Sequence, residues 1–131
     1  MAYAQWISIN IKPKGFNAII RNVKSDWGKF YQGSKDNEVN IDAINNHIIN
    51  DGEGFDISSC GREEATSGTE GSFDIYDGST HIGNYYWDCP WGSKTNTSTW
   101  TPSNDNYLAQ VSGANLDSGA LGDIAIKIGK Y

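Results

Sequence analysis

The sequence predicts an all-β fold, a single domain built as an antiparallel β-sandwich. Three observations carry this. The dominant hydrophobic period is two residues, set first by Ile7, Ile9 and Ile11 alternating with Ser8, Asn10 and Lys12. About ten short β-rich runs are separated by clusters of Gly, Asx and Ser, with no βαβ rhythm. Between two of those runs, Asp77-Gly78 is the strongest hairpin signal in the chain.

Taken in order, Ile7 to Ile11 reads as a half-buried strand, and Ile19, Arg21 and Val23 follow beyond the Lys14-Gly15 turn, predicting an early hairpin. Further short runs follow at Trp27 to Tyr31, Glu38 to Ile41, His47 to Ile49 and Phe55 to Ser58. Ser72 to Tyr76 and His81 to Trp87 flank Asp77-Gly78, and Thr97 to Thr101, Tyr107 to Ser112 and Asp123 to Ile128 complete the set. Asp51-Gly52-Glu53-Gly54, residues 66–71 and Pro102 to Asn106 read as turns, because Gly supplies positive φ and Asx side chains bond their own backbone. Only Ile41 to Ile49 hints at a helical turn, weakened by Asn45-Asn46. No internal repeat or low-complexity tract stands out.

The 131 residues suffice for one compact domain and fall short of two ordinary ones. A 12% aromatic content argues against disorder, which goes with few aromatics. Net charge is −6, and the ten basic residues form no run longer than Lys12-Pro13-Lys14. Nucleic acid and anionic membranes recruit Lys/Arg patches, so neither is expected as a partner, and a membrane partner should present neutral or zwitterionic headgroups. Cys60 and Cys89 lack C-x-x-C spacing and read first as buried small hydrophobes, with a single bridge as the alternative. The first residues show no basic segment followed by an apolar one, so a signal peptide is not expected. No apolar stretch approaches the ~20 residues of a membrane-spanning helix.

Candidate chemistry is sparse. Glu63, Glu64, Asp74 and Asp88 could supply carboxylates for glycoside hydrolysis, but adjacent Glu63 and Glu64 on a strand would point to opposite faces. Solvated surface carboxylates are the plainer reading. His47 and His81 match no zinc spacing, and no nucleophile elbow, phosphate loop or calcium loop appears, so neither metal nor cofactor is expected. The aromatic residues carry more information. Tyr85-Tyr86-Trp87 offers large rings to both faces of one strand, and Trp91 follows between Pro90 and Gly92, as an exposed contact or a core residue. Trp and Tyr favour the membrane interface, where one end is apolar and the other wet. Lys94 lies three residues on, within reach of a phosphate that the loop brings close.

Tyr86-Trp87-Asp88-Cys89-Pro90-Trp91-Gly92-Ser93-Lys94-Thr95-Asn96 resembles the hallmark segment of the aegerolysins. So do Ala2-Tyr3-Ala4-Gln5-Trp6, Ser25-Asp26-Trp27-Gly28-Lys29, and Cys60-Gly61-Arg62 with Gly68-Thr69 and Gly71-Ser72-Phe73-Asp74. Ser112-Gly113 and Asn115 to Gly122 resemble the C-terminal block of the mushroom members, so the likeness runs in order along nearly the whole chain. It implies that residues 1–131 form one lipid-binding β-sandwich domain, recognising sphingomyelin with cholesterol or ceramide phosphoethanolamine. Many members are the membrane-recognition half of a two-component pore and recruit a larger membrane-attack-complex/perforin partner.

By resemblance the lipid-facing candidates are Trp6, Trp27, Tyr86, Trp91 and Lys94, with no catalytic residue. A soluble protein without a signal peptide is implied, released to act at target-cell membranes or otherwise cytoplasmic. Three departures bear on the lipid choice. Ser67 stands where mushroom members carry an acidic residue linked to their choice of sphingolipid state, Glu63-Glu64 replaces their usual Ser-Asp, and Asn40 to Asp51 is unlike theirs. The rival reading is a carbohydrate-binding lectin-like module, because sandwiches with exposed Trp and Asx-rich loops also stack on sugars.

Overall fold

The computed structural model describes residues 5–61, 68–90 and 94–130. Its strands are β1 (Trp6–Lys14), β2 (Ala18–Trp27), β3 (Lys29–Gln32), β4 (Ser34–Val39), β5 (Ile48–Ile49) and β6 (Phe55–Cys60), then β7 (Thr69–Asp77), β8 (Thr80–Cys89), β9 (Thr97–Pro102), β10 (Tyr107–Ser112) and β11 (Gly122–Lys130). They form a six-stranded sheet in the order β10-β11-β1-β6-β3-β4 and a five-stranded sheet in the order β5-β2-β7-β8-β9. The fold is the all-β sandwich the sequence predicts.

Alternation does what it should. Ile7, Ile9 and Ile11 point inward from β1, and Ile124, Ile126 and Ile128 do so from β11. They meet Ile20, Phe73, Ile75, Tyr85 and Trp87 of the other sheet in one core. Trp87 is fully buried and spans the gap, its ring 6.1 Å from Phe30 of the facing sheet and 6.1 Å from Phe73 of its own. At the far end Phe16 plugs the core edge-on to Tyr107 at 5.3 Å.

The predicted early hairpin does not form. β1 pairs with β6 and β11, while β2 pairs with β5 and β7 in the other sheet. A hairpin would lay the apolar faces of β1 and β2 side by side, whereas the turn through Gly15 (φ +90°) sets them face to face, where each buries the other. The purely antiparallel expectation also needs one amendment, since β1 and β11 run parallel with Ile9 opposite Ile124. The run Trp27 to Tyr31 is two strands, divided at Gly28 where the chain crosses between sheets. The helical hint reduces to one 3₁₀ turn, Ile41–Ala43, started by the Asn40 side chain accepting from the Asp42 amide. The Asp77-Gly78 hairpin forms, with Asp77 opposite Thr80 across a two-residue loop. Cys60 and Cys89 are buried and unbridged.

Candidate functional site

Strand register fixes one end of the sandwich. β1, β3, β7, β9 and β11 begin there, and β2, β6, β8 and β10 finish there. Trp6 opens β1 opposite Cys60, half-buried, with the Lys35 ammonium 5.2 Å from its ring centre. Trp27 closes β2 opposite Glu70, with 59% of its surface exposed. Tyr86 leaves β8 on the outer face, between buried Tyr85 and Trp87, so only one of the three neighbouring rings is available to a partner. Lys94 is exposed just before β9. The structure therefore brings Trp6, Trp27, Tyr86 and Lys94 to a common end. Trp91 lies outside the described residues, as do Glu63, Glu64 and Ser67.

The platform beneath Trp27 is stiff for identifiable reasons. Gly28 has φ +87°, and a Cβ there would stand 2.5 Å from the Cys60 carbonyl oxygen. A Cβ on Gly68 would stand 1.8 Å from the Cys89 carbonyl oxygen, so β7 begins in direct backbone contact with the end of β8. Between the sheets, the Trp87 indole N–H donates to Thr69 Oγ1 at 3.1 Å, and Thr69 and Ser59 share a hydroxyl hydrogen bond at 2.5 Å. Ser59 also donates to the Lys29 carbonyl at 2.9 Å. Thr69 and Ser59 are each 1% exposed, so this buried, fully paired relay locks both sheets beside the Trp27–Lys29 crossover. Cys89 Sγ adds contacts to Gln5 Oε1 at 3.5 Å and to the Gly119 carbonyl at 3.2 Å.

Sequence reasoning missed two features of this end. The first is Glu70, which accepts a hydrogen bond from the Tyr86 hydroxyl and stands directly opposite Asp88. Burial and the nearby carboxylates Glu70, Asp88 and Asp26 push the Tyr86 hydroxyl well above its ordinary pKa, so it stays protonated and donates. Burial and Glu70 also raise Asp88, with Lys94 opposing them. Glu70 falls in the run 66–71 that the sequence reads as a turn, whereas β7 begins at Thr69, and only strand pairing reveals its neighbours. The second is the loop through Leu116, which is 55% exposed. Asn96 ties it down, its Nδ2 donating to the Asn115 and Gly119 carbonyls at 2.9 and 3.0 Å. The Asn115 to Gly122 motif was visible in the sequence, but the one apolar side chain it exposes was not.

Asp74, the other carboxylate considered for hydrolysis, is occupied. Burial raises it, but the Asn22 and Asn84 amides at 2.8 and 2.9 Å and His81 at 3.3 Å outweigh this and hold it below the ordinary carboxylate range. A carboxyl so stabilised as the anion is a poor proton donor. Among the described residues, this end offers an exposed indole, a half-buried indole and phenol, an aliphatic side chain and the Lys35 and Lys94 ammonium groups on a rigid base.

The aegerolysin family model matches residues 4–131. The chain is 46% identical over 131 residues to ostreolysin A6 of Pleurotus ostreatus, covering 96% of this chain and 95% of that one. It is 48% identical over 134 residues to aegerolysin Aa-Pri1 of Cyclocybe aegerita, covering 97% and 91% respectively. Among solved structures, that of RahU protein in complex with a Tris molecule superposes with a TM-score of 0.95 at 39% identity, covering 99% of this chain and 98% of that one.

Proposed function

The chain belongs to the aegerolysin family, and from that premise we propose that it binds membrane lipids through the end of the sandwich that carries Trp6, Trp27, Tyr86 and Lys94. The preferred target is a neutral or zwitterionic sphingolipid bilayer, either sphingomyelin with cholesterol or ceramide phosphoethanolamine. The chain acts there as the membrane-recognition component of a two-component pore, with a larger perforin-like protein as partner, and turns over no substrate. A single observation carries the reading. Trp27 is large, apolar and 59% exposed, and it stands on a backbone that Gly28 and the Ser59–Thr69–Trp87 relay immobilise. An apolar side chain carried into water on an ordered backbone has a partner to gain, because that backbone loses little further entropy on binding. Trp91 joins this contact as part of the same proposal.

The carbohydrate reading is less well supported. On the outer face of β2, β7 and β8 the Asn22 and Asn84 side-chain amides, which a sugar would need, already donate to Asp74. Sedimentation with sphingomyelin/cholesterol, ceramide phosphoethanolamine/cholesterol and phosphatidylserine vesicles, at low and raised salt, tests the proposal. Binding to either sphingolipid mixture should survive salt, since apolar insertion is weakly screened. Phosphatidylserine binding that disappears in salt, or glycan binding without vesicle binding, would refute it.

A further inference from the structure

Three lysines that the sequence scatters converge on the outer face of the six-stranded sheet, at the end opposite Trp27. Lys12 and Lys127 are direct partners across β1 and β11, and Lys14 follows two residues along the same face. All three are exposed, and none has an ion-pair partner among the described residues. Like charges directly opposite on neighbouring strands destabilise a sheet. In a chain of net charge −6 with sixteen carboxylates, that arrangement is left uncompensated.

The three line a groove of ≈ 600 Å³ together with Leu108, Gln110 and Asp51. Asp51, whose Oδ1 accepts from the Gly15 amide at 2.9 Å, sets a single carboxylate of the lining against three ammonium groups, so the groove keeps an excess of positive charge. Leu108 is 61% exposed on β10, an edge strand whose other side is unpaired.

We propose that this groove is a docking site for an acidic, extended segment of a protein partner. Residues two apart on an extended chain are spaced by about 6.6–6.8 Å, so carboxylates at alternate positions match the Lys12 to Lys14 interval. Leu108 supplies apolar contact at the rim. A concave groove suits a segment better than a flat bilayer. The site lies away from the membrane-facing end, so both can be occupied together. That last placement rests on the membrane reading above, and the charge argument does not.

The test is an amide-resolved NMR titration of the full chain with a short synthetic peptide alternating Glu with Thr around one Leu, and with its Gln counterpart. The Glu peptide should shift the amides of Lys12, Lys14, Leu108 and Lys127, and raised salt should weaken it. Lys12→Gln/Lys127→Gln should lose roughly tenfold in affinity, as two surface ion pairs would. The same variant should sediment with sphingolipid vesicles like the parent, and Lys127→Gln alone should melt no lower than the parent. Shifts elsewhere, equal binding of the Gln peptide, or phosphatidylserine vesicle binding that the double variant abolishes would overturn the proposal. A fall in Tm in Lys127→Gln would also overturn it, by giving the lysines a structural role. Failure of the parent to bind sphingolipid vesicles would count against the membrane reading and leave the peptide result standing.

Discussion

Replacing Trp27 by alanine removes the most exposed ring among the described residues at the proposed membrane-facing end. A tryptophan side chain offers about 200 Å². With 59% of it in water, roughly 120 Å² is free to insert. At ~25 cal/mol per Å² this amounts to about 3 kcal/mol, or roughly 100-fold in vesicle affinity. The ring is mostly outside the core, so Tm should move little, as for surface substitutions worth within about 0.5 kcal/mol. Trp87→Ala provides the internal contrast. Trp87 is fully buried between Phe30 and Phe73, and its truncation should cost about 3–5 kcal/mol of stability. Thermal melts and sedimentation with sphingomyelin/cholesterol vesicles, run on both variants, separate the two roles. A Trp27→Ala protein that melts as early as Trp87→Ala, or binds vesicles within twofold of the parent, would refute the reasoning.

Gly28→Ala places a methyl 2.5 Å from the Cys60 carbonyl oxygen at φ +87°, so Tm should fall by roughly 5–10 °C and vesicle binding should weaken even well below Tm. The acid limb of stability should split by residue. The lowered Asp74 contributes stability above its ordinary pKa and loses it as pH falls through the depressed folded value, so Asp74→Asn should lower Tm at neutral pH and flatten the acid-side loss. Asp88 has the opposite sign: raised in the fold, its ionisation lowers stability as pH climbs from the ordinary to the raised value. Asp88→Asn should therefore raise Tm at neutral pH and give no gain below about pH 4, in melts across that range. Finally, the protein alone at saturating binding should release little dye from sphingolipid vesicles, since its strands are committed to the sandwich. Fast, complete release would show that it perforates unaided.

Much of the fold was legible because most strands bury one face. The alternation of Ile7, Ile9 and Ile11, or of Tyr85, Tyr86 and Trp87, is dictated by that burial and survives into the structure. Where neither face is deeply buried the signal fails. The sequence reading starts the strand at Glu38, but β4 begins at Ser34, in a polar edge strand with no alternation to detect. Pairing is a different kind of information. That β1 meets β11 in parallel and not β2 is set by which faces must oppose each other, and no local pattern encodes it. The site divides in the same way. Trp6, Trp27, Tyr86 and Lys94 stood out by residue type and by family motif. Glu70 beneath Tyr86, the Ser59–Thr69–Trp87 relay and the Lys12/Lys127 pair exist only through register between distant strands.

The central claim is that one end of the sandwich faces the bilayer, and spin labels at the two ends test it most directly. Leu116→Cys carries one label at the Trp27 end, and Ser79→Cys carries the other at the β7–β8 turn; both positions are exposed, whereas the native Cys60 and Cys89 are buried. On sphingomyelin/cholesterol vesicles, relaxation by dissolved oxygen reports the apolar interior and relaxation by a water-soluble nickel chelate reports solvent. The account predicts that the label at position 116 gains oxygen contact and loses nickel contact on binding, while the label at position 79 keeps its nickel contact. Bound protein in which position 79 is shielded and position 116 stays open to nickel would contradict it.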